Sequence, residues 1–176
     1  PEYRSLARQQ FDATDNMTDQ FAALSVLANV TGEEGDQALA DFYARWQGEA
    51  LVVDKWLAVQ SSSRLAGTLA RVESLTRHAA FDIRNPNKVY ALLRTFGANH
   101  RHFHAADGAG YRFVAEQIVR LDPINPQVAS RLARSFDRWR RFDSERQRHS
   151  RAALESVRNQ PGLSRDVFEV VDKALS

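Results

Sequence analysis

The sequence contains no cysteine, and this absence excludes several kinds of protein chemistry. Without thiols the chain can form no disulfide framework, no thiolate zinc site and no cysteine nucleophile. It also has no apolar run that approaches the roughly 20 residues of a membrane-spanning helix, and no signal-peptide pattern. We therefore expect a protein of the reducing cytoplasm that has no membrane partner.

Lysine is scarce as well, because arginine outnumbers it 21 to 3. The formal net charge is only +2, which is too small to indicate nucleic-acid binding by itself. With 176 residues, of which 43% are hydrophobic, the chain can bury a core as one domain or one compact array. Because it begins with Pro1 and not with methionine, we expect residues 1–176 to be a single domain of a longer protein.

The hydrophobic pattern predicts helices and no strands. Apolar residues recur at helical spacing over 17–30, 51–60, 64–77 and 111–121, and 1–15 is expected to form a short helix or a packed entry segment. Thr31 and Glu34 have the spacing of a capping box. The run 97–110 is predicted to be a long loop in which the glycines form a tight turn before the next helix. The fold is therefore expected to be all-α.

Two Asn-Pro pairs mark clear helix starts, at Asn85-Pro86 and Asn125-Pro126. Asparagine can accept a hydrogen bond from a free backbone N–H, and proline suits the first helical position. The two starts lie 40 residues apart, which predicts stacked antiparallel helix pairs of the armadillo or HEAT type. We expect the second helix to reach about residue 141, with Asp143 and Ser164 capping the two helices after it.

The helix that follows Asn125 has two distinct faces. Gln127 and Arg131 lie four residues apart on one face, whereas Val128, Leu132 and Phe136 lie on another. One face can therefore pack against the core while the other presents an amide and a guanidinium group.

Three histidines, His100, His102 and His104, alternate along the predicted loop. Imidazoles can bind zinc or copper, but the spacing is not one for ligands on a helix, and no acidic residue intervenes. We interpret them as ordinary loop histidines, with His104 packed against its neighbours. The sequence also contains no His-Glu-x-x-His and no Gly-x-Ser-x-Gly. No catalytic residue, metal ligand or cofactor site is expected within this chain.

Arginine is concentrated in one region, at positions 131, 134, 138, 140, 141, 146, 148 and 151. Guanidinium groups match phosphates and carboxylates, so one hypothesis is a helical-repeat module that binds RNA or an acidic protein. The other is a solvated helix pair in which Asp137, Asp143 and Glu145 neutralise the arginines. We favour the second interpretation for most of these residues.

Several segments of the sequence are distinctive when taken together. They are Asn-Met-Thr-Asp and Ala-Ala-Leu-Ser at 16–19 and 22–25, Leu-Val-Val-Asp-Lys-Trp at 51–56, Asn-Pro-Asn at 85–87, Phe-His-Ala-Ala-Asp-Gly with Gly-Tyr over 103–111, Asn-Pro-Gln-Val-Ala-Ser-Arg-Leu at 125–132 and Arg-Ala-Ala-Leu-Glu at 151–155. Together they resemble the C-terminal domain of one protein family, the bacterial M1-family aminopeptidases N (alanyl aminopeptidases). The resemblance covers nearly the whole chain.

The resemblance implies an all-α, right-handed superhelix of antiparallel helix pairs that covers the cavity of a zinc aminopeptidase. Zinc and the catalytic groups would belong to an upstream domain of the same chain, so the fragment alone is expected to be inactive. In the family, positions matching Gln127, Arg131 and Lys88 contact the peptide substrate. The last is arginine in well-known relatives, so Lys88 departs from the pattern. No nucleic-acid partner is implied.

Overall fold

The computed structural model describes residues 2–176, and every regular element in that range is helical. Twelve α-helices follow one another: α1 Glu2–Ala13, α2 Met17–Leu27, α3 Glu33–Trp46, α4 Ala50–Ser61, α5 Thr68–Leu75, α6 Pro86–Val89, α7 Thr95–Gly97, α8 His100–Phe103, α9 Ala109–Leu121, α10 Pro126–Ala133, α11 Ser144–Arg158 and α12 Arg165–Leu175. A π-helical turn, Tyr90–Arg94, joins α6 to α7, and 3-10 turns at Arg134–Phe136 and Trp139–Arg141 follow α10. Within the same range, no helix is long and apolar enough to cross a membrane.

Helices that are neighbours in sequence pack against each other in the first half of the chain. α1 packs on α2, α2 on α3, α3 on α4 and α4 on α5, and the π-helical turn lies against α4. In the second half α9 contacts both α10 and α11, and α12 closes the array against α10 and α11. One continuous apolar cluster runs through all of these helices, as expected for stacked helical units that share a core.

Four of the predicted helix caps are confirmed. The side chains of Asn85 and Asn125 accept hydrogen bonds from the backbone N–H groups of Asn87 and Val128, at 3.0 and 3.1 Å. Asp143 and Ser164 do the same for the first turns of α11 and α12. Each cap satisfies a backbone donor that the helix itself leaves free, so these four starts are fixed by local chemistry.

The predicted capping box at Thr31 is wrong. α3 begins one residue later, because Gly32 is its N-cap, with φ +97° and no side-chain hydrogen bond. Thr31 therefore lies outside the cap position, where its hydroxyl cannot serve the first turn. The predicted segment 1–15 is confirmed as the short helix α1, although residue 1 lies outside the described part of the chain.

Three other helix boundaries also differ from the prediction, and distant contacts decide the first of them. The helix predicted over 64–77 is only α5, because Arg64 donates its backbone N–H to the Asn29 side chain at 2.9 Å and Ser63 bonds the carbonyl of Ala28. The predicted loop 97–110 contains the short helix α8. The helix after Asn125 ends at Ala133 and continues only as 3-10 turns.

Candidate functional site

The exposed face of α10 carries two of the three predicted site residues. Gln127 and Arg131 are both exposed, whereas Val128 and Leu132 on the opposite face are buried. Arg131 donates a hydrogen bond from its guanidinium group to the phenol oxygen of Tyr90, at 3.0 Å. The Tyr90 hydroxyl thus ties the exposed face of α10 to the π-helical turn that follows α6.

Lys88, the third predicted residue, lies in a different environment. It is only 9% exposed, and its Nζ lies 2.8 Å from a carboxylate oxygen of Asp54 and 3.1 Å from the carbonyl oxygen of Ala50. Its ammonium group is therefore already engaged with α4. No hydrogen bond or ion pair among residues 2–176 joins Lys88 to Gln127 or Arg131. The structure thus places two of the three on one exposed face, while the third is engaged with α4.

Arg131 is one of four arginines that line an open cleft of about 630 Å³, together with Arg94, Arg134 and Arg138. Gly97, Ala98 and Ser135 complete its lining, so none of the seven lining residues is acidic. The walls approach closely, because a Cβ placed on Gly97 would lie 3.0 Å from the Cβ of Ser135. The guanidinium of Arg94 also lies over the Tyr90 ring, 5.7 Å from its centroid.

Three of the five other arginines in the Arg-rich region are paired with carboxylates, two of them with the predicted partners Asp143 and Glu145. Arg146 pairs with Asp143, Arg148 with Glu145 and Arg151 with Glu155. The hydrogen bonds from Arg146 hold the pKa of the Asp143 carboxyl below its ordinary value. Arg140 instead donates to the backbone carbonyls of Ala174 and Leu175, at 2.8 Å each. The expected partner Asp137 makes no ion pair with any residue in the described range.

The three alternating histidines do not converge on a metal position. His104 is buried, stacks on Phe142 with ring centroids 3.8 Å apart, and shares a 2.8 Å hydrogen bond between its Nδ1 and the Tyr111 hydroxyl. Burial, together with the nearby charges of His100 and Arg146, lowers the pKa of His104 to about 4. Within residues 2–176 no three His, Cys, Asp or Glu side chains are placed to hold a metal ion. The packing predicted for His104 is confirmed.

These features define a class of protein, an all-helical repeat domain with a polar face on one of its helices. Over residues 1–176 the chain matches the family described as a domain of unknown function (DUF3458_C) with ARM repeats, and it belongs to that family. This match confirms the predicted helical-repeat fold.

The curated proteins that this chain matches are named as aminopeptidases. The chain is 40% identical to Aminopeptidase N of Escherichia coli (strain K12) over 172 residues, which are 97% of this chain and 20% of that protein. It is also 40% identical to Aminopeptidase N of Haemophilus influenzae over 173 residues, again 97% of this chain and 20% of the relative. The chain thus spans about a fifth of the length of the curated relatives it matches.

A solved structure agrees with these relatives. The crystal structure of Legionella pneumophila aminopeptidase A in complex with aspartic acid matches with a TM-score of 0.92 and 37% identity, over 98% of this chain and 20% of that one. Together the family and the relatives confirm the resemblance to the C-terminal domain of aminopeptidase N.

Sequence reasoning missed three residues that shape this region: Asp54, Tyr90 and Arg94. The sequence does hold a signal for two of them, because Tyr90 and Arg94 lie four residues apart on the helix that Asn85 starts, as Gln127 and Arg131 do after Asn125. The pairing of Asp54 with Lys88 joins positions 34 residues apart, and no local pattern indicates it.

Proposed function

We propose that this chain is the cavity-covering domain of a zinc-dependent aminopeptidase that removes N-terminal residues from peptides. The observation that carries the proposal is the exposed pair of Gln127 and Arg131 on α10, in a chain similar to two Aminopeptidase N proteins. An amide and a guanidinium group one helical turn apart can bind the backbone and the terminal carboxylate of a short peptide.

In this proposal the chain supplies substrate contacts and another part of the same protein supplies the reaction. The zinc, which would activate the attacking water, does not fit the residues of this chain. No group of three potential ligands is formed within residues 2–176. The proposed partners are therefore the upstream catalytic domain and the peptide substrate, and the proposed location is the cytoplasm.

The role proposed for Lys88 is chiefly structural. Its ammonium group has three donors, and Asp54 and the Ala50 carbonyl take two of them. We propose that Lys88 mainly holds α6 against α4, which keeps the Tyr90 hydroxyl within hydrogen-bond distance of Arg131. A direct substrate contact by Lys88 remains a prediction.

The test is the substitution Arg131→Ala in the full-length protein. We expect kcat/KM for tripeptides to fall about tenfold to a hundredfold, since a hydrogen bond to a charged group is worth about 1.5–3 kcal/mol. Hydrolysis of single-residue amides, which do not extend to Arg131, should change little. Arg77→Ala, at an exposed arginine outside the cleft, is the control. Equal losses on both substrates would contradict the proposed role.

A further inference from the structure

We propose that the cleft formed by Arg94, Arg131, Arg134 and Arg138 binds the carboxylate side chains of acidic peptides. The inference rests on the proposed function and deepens it, because it assigns a preferred class of substrate to the surface beside Arg131. Gln127 and Arg131 would contact the end of a short peptide, and the other three arginines would select for acidic residues in that part of it.

The first argument is the concentration of uncompensated charge. All four arginines are exposed, and the cleft they line contains no acidic residue. Elsewhere in the Arg-rich region Arg146, Arg148 and Arg151 each have a carboxylate partner. Like charges that share a cleft raise its positive potential, and such a cleft attracts anions.

The second argument is where the four side chains originate. Arg94 ends the π-helical turn, Arg131 belongs to α10, and Arg134 and Arg138 follow in and after the first 3-10 turn. Arg131 and Arg94 both contact Tyr90, the first through its hydroxyl and the second over its ring. The guanidinium groups are therefore held by two separate segments, so an anion between them can be bound from both sides.

The third argument separates acidic peptides from nucleic acids. Proteins that bind single-stranded nucleic acids combine basic grooves with aromatic side chains on which the bases stack. None of the seven residues lining this cleft is aromatic, and the small residues Gly97, Ala98 and Ser135 form the rest of its wall. A wall of small side chains leaves room for an extended peptide, and the planar fork of arginine matches a carboxylate with two parallel hydrogen bonds.

The size of the cleft agrees with this ligand. Its volume of about 630 Å³ lies within the range of roughly 300–1,000 Å³ that small-ligand sites occupy. Two or three peptide residues can therefore lie within it.

The experiment measures binding in the full-length protein with a peptide that cannot be hydrolysed. The probe is a fluorescein-labelled, N-acetylated tetraglutamate. The matched probe is a fluorescein-labelled, N-acetylated tetraglutamine, whose side chains are neutral. Fluorescence anisotropy should show tetraglutamate binding at least about tenfold more tightly than tetraglutamine, as charge-assisted bonds require. The double variant Arg94→Gln/Arg134→Gln should lose this difference, whereas Arg64→Gln/Arg77→Gln, at exposed arginines outside the cleft, should keep it.

The outcomes are distinguishable from those of the proposed function. If the wild-type protein hydrolyses aminoacyl amides but binds both probes equally, the cleft assignment is overturned and the proposed function stands. If it binds tetraglutamate but hydrolyses no aminoacyl amide, the proposed function fails while the anion site stands. If a labelled oligouridylate binds more tightly than tetraglutamate and depends on Arg94 and Arg134, the ligand is nucleic acid and the peptide assignment is wrong.

A catalytic readout completes the test. The substrate Ala-Gly-Glu-Glu should be hydrolysed with a kcat/KM about tenfold above that of Ala-Gly-Gln-Gln, an advantage that 0.5 M NaCl should largely remove by screening. Loss of the advantage in Arg94→Gln/Arg134→Gln, but not in Arg64→Gln/Arg77→Gln, supports the inference. An equal ratio in all three proteins would overturn it.

Discussion

Arg131 donates a hydrogen bond to the hydroxyl of Tyr90 at 3.0 Å, although 41 residues separate them in the sequence. This bond joins the helices that begin at Asn85 and at Asn125, the two clearest starts in the chain. An exposed arginine side chain has many rotamers of similar energy, and a fixed acceptor reduces that freedom. The hydroxyl therefore restricts the orientation of the guanidinium group.

The first prediction concerns this orientation. Tyr90→Phe removes only the hydroxyl, so Arg131 keeps its charge and loses its acceptor. We expect KM for tripeptides to rise about two- to fivefold, less than in Arg131→Ala, because an exposed bond of this kind contributes only about 1 kcal/mol. Steady-state kinetics of the full-length protein measures it, with Tyr3→Phe as the control at a tyrosine that is 83% exposed. A loss as large as that of Arg131→Ala would show that the hydroxyl itself contacts substrate.

The second prediction separates a structural from a substrate role for Lys88. Lys88→Met leaves the half-buried Asp54 without its cation, so we expect this chain to lose about 1–3 kcal/mol of stability in urea denaturation. In Lys88→Met/Asp54→Asn the second change should restore part of that loss, since no charge is then left unpaired. If Lys88→Met leaves stability unchanged but raises KM for peptides in the full-length protein, the lysine contacts substrate instead.

Where the sequence predicted structure well, the deciding interactions are local. Asn125 caps α10 through Val128, three residues away, and the face that carries Gln127 and Arg131 follows from helical spacing alone. Where prediction failed, the deciding partner is distant. Asn29 accepts a hydrogen bond from the backbone N–H of Arg64 across 35 positions, and the helix predicted to begin there begins only at Thr68.

In the candidate site, too, the features that depend on local spacing were predicted and those that depend on distant contacts were not. Helical spacing was sufficient to place Gln127 and Arg131 on one exposed face. The engagement of Lys88 with Asp54, and the approach of Arg94 to the same cleft as Arg131, depend on how α4, α6 and α10 pack together. No pattern within a single helix contains that information.

The third prediction compares two glycines with left-handed backbones. Gly108 has φ +68° and Gly162 φ +75°, so alanine should cost each position about 1 kcal/mol in backbone strain. The space around Gly162 is open, but a Cβ on Gly108 would lie 2.6 Å from the Cβ of His149. We therefore expect Gly108→Ala to lower the free energy of unfolding by at least about 1 kcal/mol more than Gly162→Ala. Equal losses in urea denaturation would show that His149 on α11 can move away from the added methyl group at little cost in free energy.

The fourth prediction is a pH dependence of stability that comes from His104. Its pKa is lowered to about 4 from an ordinary 6.5, chiefly because burial disfavours the charged ring. The unfolded imidazole takes up a proton near pH 6.5, whereas the folded one does so only near pH 4. Between these values the unfolded state binds more protons, so stability falls as the pH drops from about 6.5 to 4, by at most about 3 kcal/mol.

Urea denaturation of this chain at a series of pH values measures the slope, and two variants assign it. In His104→Phe, which keeps an aromatic ring against Phe142, the stability should no longer fall over that window. Asp143→Asn keeps a capping side chain and should leave the slope intact. The pKa of Asp143 is lowered below an ordinary 3.8, so its contribution is lost only below the window. A slope that persists in His104→Phe would assign the pH dependence to another group.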